Sequence, residues 1–230
     1  KELKKPEGEL TKTDLVKVTE LILTSNQLTS AKGLEKLTQL NVLGLSGNQL
    51  TSAKGLEKLA NLRLLNLQFN KLTSVKGLEN LTQLKELYLG DNKMTDVQAL
   101  GNLTQLKLLA LDANQLTDVP KGLEKLTGLT MLLLDGNKLT DVPKGLEKLT
   151  QLKLLKLNEN QLIDVKGLEK LTQLTKLALQ DNKLTDVKGL EKLTQLTYLR
   201  LDDNPDLTKA QIAELQKALP KCFIFSNPKK

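Results

Sequence analysis

Asp112 and Asp135 are the carboxylates of this chain best placed to act as a pair, because each stands two residues before an asparagine in the same recurring phrase. If those phrases form neighbouring parallel strands, the two acids share one column roughly 5 Å apart, with Asn158 next in line. Oxygen donors so spaced could hold calcium. That ion takes about 6–8 oxygens, however, and two solvated carboxylates awaiting a basic partner is the simpler reading. Paired carboxylates can also cleave glycosides, but here the acids are strewn along the chain with no sign of a closed pocket. The rest of the catalytic repertoire is missing. The sequence has no histidine, so it lacks the commonest general base, any Ser-His or Cys-His pair and histidine-ligated zinc, and its one cysteine, Cys222, cannot build a cysteine metal site. It contains neither a Gly-rich phosphate loop nor a dinucleotide-binding turn. A non-catalytic chain without a cofactor is expected.

What must position these residues is a phrase, L-x-x-L-x-L-x-x-N, whose closing asparagine recurs at Asn26, Asn48, Asn70, Asn92, Asn114, Asn137, Asn160, Asn182 and Asn204. Successive asparagines are 22 residues apart, except for two steps of 23 where Pro120 or Pro143 enters the connection. A fixed period of this length marks a solenoid of stacked units, each burying its leucines against its neighbours. Within the phrase the leucines alternate inward and the intervening residues face out. This predicts one short strand per unit, paired in parallel with the next. The asparagine can place its amide between backbone groups of adjacent turns. The returning segment KGLEKLTQL (32–40) recurs verbatim at 144–152, 166–174 and 188–196. It is too short for a long helix and predicts a 3₁₀ turn or one or two helical turns, with its lysines and glutamates in water.

Over residues 18–204 this pattern resembles the leucine-rich repeat, and the mixture of 22-residue units with Pro-containing 23-residue units is similar to the internalin-like repeats of bacteria. The resemblance implies an α/β fold: a right-handed leucine-rich-repeat solenoid with a curved parallel β-sheet on the concave face, short 3₁₀ or helical turns on the convex face, and N- and C-terminal caps. It also implies secretion or display at the bacterial cell surface, a cytoplasmic location staying open, and for some members contact with a host or another cell.

The expected organisation is a flexible lead-in and helical cap over 1–17, nine repeats over 18–204, and a helical cap over 205–230. Residues 1–9 are charged and nearly devoid of apolar side chains, and Thr11 with Asp14 reads as a helix N-cap with an acid in the first turn. At the far end Thr208 and Gln211 form a capping box, Ile212, Leu215 and Leu219 follow a helical stripe, and Pro220 stops the helix. Phe223, Ile224 and Phe225 read as a brief extended piece folding over the last repeat, and Cys222 as a small buried hydrophobe.

Comparing the repeats with one another locates the information. Returning segments barely vary, whereas the outward strand positions differ from unit to unit, which places function on the concave sheet. The candidate binding residues are Leu64, Asn66, Phe69, Tyr88, Leu108, Asp112, Met131, Leu133, Asp135, Leu154, Lys156, Tyr198 and Arg200. Phe69, Tyr88 and Tyr198 are three of the five aromatic residues, and they sit where no core needs them, as interface anchors do. Leu108, Met131 and Leu154 occupy equivalent places on adjacent strands, with Ala110 and Leu133 one column over. That strip is either a contact site or sheathing at the rim of the core. Recent duplication of units would also account for the sameness of the returning segments.

The net charge of +7 would ordinarily point to nucleic acid or an anionic surface. The outward strand positions, however, carry nine acids against Lys156, Lys176 and Arg200, so a phosphate backbone would meet repulsion there, and the convex lysines interleaved with glutamate read as a solvated face. No apolar run is long enough to span a membrane. A single cysteine excludes an intrachain disulfide, which fits a bacterial or intracellular chain, and a first residue of lysine fits a removed signal peptide or a trimmed chain equally. The expected partner is therefore a protein bound by a monomer, with neither nucleic acid nor membrane insertion. The alternatives are a scaffolding or recognition segment of a larger protein, and glycan or cell-wall binding, for which the aromatics are few.

Overall fold

Each leucine phrase forms a strand only three residues long. The structure, a computed structural model, describes residues 12–95, 97–119 and 122–228; the charged lead-in 1–9, Thr11 and Pro120 lie outside the described residues. The strands are β1 (Glu20–Ile22), β2 (Val42–Gly44), β3 (Leu64–Asn66), β4 (Glu86–Tyr88), β5 (Leu108–Ala110), β6 (Met131–Leu133), β7 (Leu154–Lys156), β8 (Lys176–Ala178), β9 (Tyr198–Arg200) and β10 (Phe223–Phe225). They make one sheet in strict chain order. Every pairing is parallel and in register, so that Tyr88 lies beside Ala110 and Ala110 beside Leu133. The central leucine of each strand from Leu43 to Leu199 is fully buried.

The strands are short because the chain turns three residues after each of them. The residue before each asparagine has positive φ in all nine repeats, from Ser25 (58°) through Phe69 (54°) and Glu159 (52°) to Asp203 (55°), with Gly47 and Gly136 in two of the places. Left-handed backbone cannot continue a strand and is unfavourable for most L-residues.

The asparagine then carries out the bridging expected of it. Asn114 Oδ1 accepts from the Met94 N–H at 3.0 Å, while Nδ2 donates to the carbonyls of Leu89, Leu111 and Asp112 at 3.1, 3.2 and 3.0 Å. One side chain thus satisfies groups of two successive turns that water cannot reach. The same arrangement runs from Asn48 to Asn204, all buried. Asn26 departs from the expectation. It is exposed, and among the described residues its amide reaches only the Thr24 carbonyl at 2.8 Å, because no leucine-phrase turn precedes it to be bridged.

On the convex side the returning segments form 3₁₀ turns such as Leu34–Lys36 and Leu168–Lys170, each preceded by a glycine near φ 100°. The glutamate of KGLEK folds back to accept from that glycine's N–H, as Glu169 does from Gly167 at 2.7 Å and Glu191 from Gly189 at 2.7 Å. Hydrogen bonds from its own backbone N–H and from that of Gly167 hold the Glu169 carboxyl below its usual range. These glutamates therefore cap the turn as well as facing water, which gives part of the convex sameness a structural cause. The fourth repeat, with a 3₁₀ turn over Gln98–Asn102, lacks the Gly-Glu pair.

Helix α1 (Lys12–Leu15) precedes the buried Val18, and Leu15 packs against the same core. Helix α2 (Lys209–Ala218) starts at the expected capping box: Thr208 Oγ1 accepts from Gln211 N at 3.2 Å, and Gln211 Oε1 accepts from Thr208 N at 2.8 Å. The segment after α2 is the short extended piece expected against the last repeat. It pairs with β9 as a tenth strand, and alternation turns Ile224 toward the core while Phe223 and Phe225 face out.

Candidate binding face

The parallel register sorts the candidate residues into columns. Leu64, Leu108, Met131, Leu154 and Tyr198 share the first outward position of their strands, while Asn66, Tyr88, Leu133, Lys156 and Arg200 share the last. Asp112 and Asp135 lie two residues further on, at the rim where the strands end.

The apolar strip is divided by burial. Leu108 and Ala110 are buried and sheathe the core, whereas Met131 is exposed and Leu133 and Leu154 are half-buried. Leu64 is half-buried too, and Asn66 has a backbone duty, its Oδ1 accepting from Gln68 N at 3.0 Å. Tyr88 is half-buried and its hydroxyl donates to Glu86 Oε2 at 2.8 Å. Burial, reinforced by that acceptor, pushes the phenol up to about 12.

Phe69 lies beyond the end of β3, on the left-handed turn before Asn70, and 58% of its surface is exposed. A bulky side chain at positive φ is an outlier, and this one does not repay the conformational cost by filling a core.

The two acids are column neighbours, but their carboxylates are engaged in opposite directions. Asp135 Oδ1 accepts from Asn158 N in the following repeat at 2.9 Å. The Asp112 carboxylate lies over Gly90 in the preceding one, and its Oδ1 is buried without a hydrogen-bond partner. Burial raises both carboxyl pKa values, and Lys156 opposes the rise at each. Among the described residues, no three acidic, cysteine or histidine side chains gather as a metal would require.

At the C-terminal end, Tyr198 stacks on Phe223 with centroids 6.2 Å apart, and Arg200 lies over the Phe225 ring at 5.8 Å. Asp202 fixes that guanidinium through two bonds of 3.1 and 2.7 Å. Phe223 and Phe225, 58% and 49% exposed, extend the concave face, and sequence reasoning did not place them there. Their alternation about Ile224 was the available signal. The lack of an asparagine at the usual interval concealed it, since Asn227 follows Phe223 by four residues whereas Asn204 follows Tyr198 by six.

A single parallel sheet, open along its concave side and backed by repeated 3₁₀ turns, defines a repeat scaffold that works by presenting a surface. The profile of the leucine-rich repeat region matches residues 78–224 and that of paired leucine-rich repeats matches residues 38–80, so the chain belongs to the leucine-rich-repeat family. Such domains are protein–protein interaction modules.

No curated protein matches. Among solved structures, a leucine-rich-repeat protein of Leptospira interrogans is 37% identical with a TM-score of 0.78, over 83% of this chain and 50% of its own. The chain thus spans half the length of that relative. Internalin C2 of Listeria monocytogenes is 28% identical with a TM-score of 0.66, over 95% of this chain and 84% of its own. The leucine-rich-repeat ectodomain of the plant receptor kinase GASSHO1/SCHENGEN3 from Arabidopsis thaliana, in complex with Casparian strip integrity factor 2, is 28% identical with a TM-score of 0.71, over 86% of this chain and 26% of its own. Among the described residues, no helix is long and apolar enough to cross a membrane.

Proposed function

We propose that the chain is a non-catalytic binding module, acting as a monomer, that holds a protein ligand on its concave face through Phe69, Tyr88, Met131, Leu133 and Leu154. The observation that carries this reading is Phe69, an exposed aromatic held at an unfavourable backbone position. The fold gains nothing evident from it there, whereas an aromatic anchor at an interface gains binding energy. The plant ectodomain's complex with Casparian strip integrity factor 2 supports recognition by this type of scaffold. Likeness to internalins supports a place at the bacterial surface or outside the cell.

The test is retention of proteins from host and bacterial surface extracts by the intact chain and by a Phe69→Ala, Tyr88→Ala, Leu133→Ala variant that melts at a similar temperature. A protein held only by the intact chain supports the concave site. Equal retention by both removes it and favours a scaffolding segment of a larger protein, consistent with the half-length match to the Leptospira relative.

A further inference from the structure

The two positions before each repeat asparagine form a rim along the concave face, just past the strands. From the fourth repeat onward every repeat places an acid there, giving Asp91, Asp112, Asp135, Glu159, Asp181 and, in the ninth repeat, Asp203 beside Asp202. No lysine or arginine occupies either position in any of the nine repeats. With rungs roughly 4.8 Å apart, the file runs for about 24 Å.

The first six acids named make no direct ion pair among the described residues, though the charge of Lys156 reaches Asp112 and Asp135, whereas Asp202 is neutralised by Arg200. Like charges on neighbouring strands destabilise a sheet, so folding alone does not call for such a file. Backbone conformation accounts for part of it, since aspartate tolerates the left-handed place held by Asp91, Asp181 and Asp203. It does not account for Asp112 and Asp135, which precede that place, or for Glu159, which has no such preference.

Beside the rim lies an apolar floor in the same repeats, built from Tyr88, Met131, Leu133 and Leu154 and bounded by Lys156 and Lys176 on the following strands. The opposite edge, one residue before the strands, carries the exposed Arg63, Lys85, Lys107 and Lys153. The face is therefore charge-polarised across the strands, on a chain whose overall charge is +7.

We propose that the ligand of the concave face is a basic, apolar segment of a protein partner. It lies across the strands with aliphatic or aromatic side chains on Met131, Leu133 and Leu154 and its lysines or arginines along the acid rim. This rests on the concave-face reading above and adds the partner's chemistry. Complementary charge fixes the orientation of such a segment, and the lysine-rich convex side repels it, so it is steered to the rim. A helix covering the file has about 16 residues.

The experiment pans a displayed library of random peptides of about 16 residues on the intact chain, then measures synthetic copies of the recovered peptides. Peptides enriched in lysine or arginine together with apolar residues are expected. Their affinity should fall roughly tenfold or more when Asp91→Asn, Asp112→Asn, Asp135→Asn and Glu159→Gln are combined, and should fall as salt screens the rim. Met131→Ser with Leu133→Ser should also release them. Peptides that lack net positive charge, survive neutralisation of the rim and are lost in the serine variant would overturn the basic ligand while leaving the concave site standing. Recovery of none, or of peptides indifferent to both variants, would overturn both readings.

Discussion

The carboxylate of Asp112 fills the space that a side chain at Gly90 would need: a Cβ built on Gly90 would stand 2.5 Å from Asp112 Oδ2. The glycine lets an acid of the next repeat lie flat against the sheet, where burial raises its pKa. Gly90→Ala should therefore swing the carboxylate into water rather than distort the backbone, because the colliding atoms end a flexible side chain. The expected result is an Asp112 pKa moved back toward the ordinary carboxylate value in an NMR titration, with stability changed by less than about 1 kcal/mol. An unmoved titration would mean that the glycine has no part in burying the acid.

The same burial sets a pH dependence. Asp112 and Asp135 have folded-state pKa values above their unfolded ones, so the native state binds their protons more tightly. The stability this contributes is fully present below the ordinary carboxylate pKa and is lost as pH rises through the folded-state values. Asp112→Asn, neutral throughout, should be more stable than the parent chain at pH about 7 and lose that advantage near pH about 4. Denaturant unfolding at the two pH values reads this directly, and a variant less stable at neutral pH would contradict the burial argument.

The asparagine ladder makes a position-dependent prediction. Asn114→Ala orphans the buried Met94 N–H and three carbonyl contacts, and should cost at least about 1–3 kcal/mol. Asn26→Ala removes one exposed bond to Thr24 and should cost less than about 0.5 kcal/mol. Equal losses at the two sites would show that the amide does not act by bridging turns.

The contrast between Asn26 and Asn114 also shows what the sequence could reveal. Periodicity identified both as the same residue of one repeat, and the sheet, its order and its register followed from that period. An end effect is invisible to periodicity, because it depends on a turn that is missing rather than on one that is written. The candidate face was legible to a lesser degree. Alternation turned Met131 and Leu133 outward, as the structure has them, but Leu108 and Ala110, alike in phrase position, are buried, a difference between repeats that periodicity does not carry. Phe69 was named for its position, yet the left-handed turn that makes it unusual had no signature beyond the glycines at 47 and 136 and the aspartates at 91, 181 and 203. Phe223 and Phe225 stood outside the phrase altogether and were read as a closing piece rather than as surface.

Tyr88 offers an optical check of the concave geometry. Its hydroxyl donates to Glu86, and burial together with that acceptor pushes ionisation up to about 12. With Tyr198→Phe in place, Tyr88 is the only tyrosine, so absorbance near the phenolate band reports it alone. The midpoint should fall on adding Glu86→Gln, which removes the neighbouring charge. A midpoint that stays put would assign the whole shift to burial and detach Glu86 from the ring.

Phe69 separates stability from binding. Asparagine tolerates left-handed backbone better than phenylalanine, and the exposed ring contributes little packing, so Phe69→Asn should stabilise the fold by roughly 0.5–1 kcal/mol. If the ring is an anchor for the ligand, the same change should weaken binding, and the two effects would run in opposite directions. Thermal unfolding and affinity measured on one preparation test both. A variant that is less stable would show that the ring supports the fold, in which case its strained position would no longer argue for recognition. A variant that is more stable and binds as before would move the ligand elsewhere on the face. Strain kept at a position that binding uses is the one outcome that explains why a repeat able to take glycine or aspartate there carries phenylalanine instead.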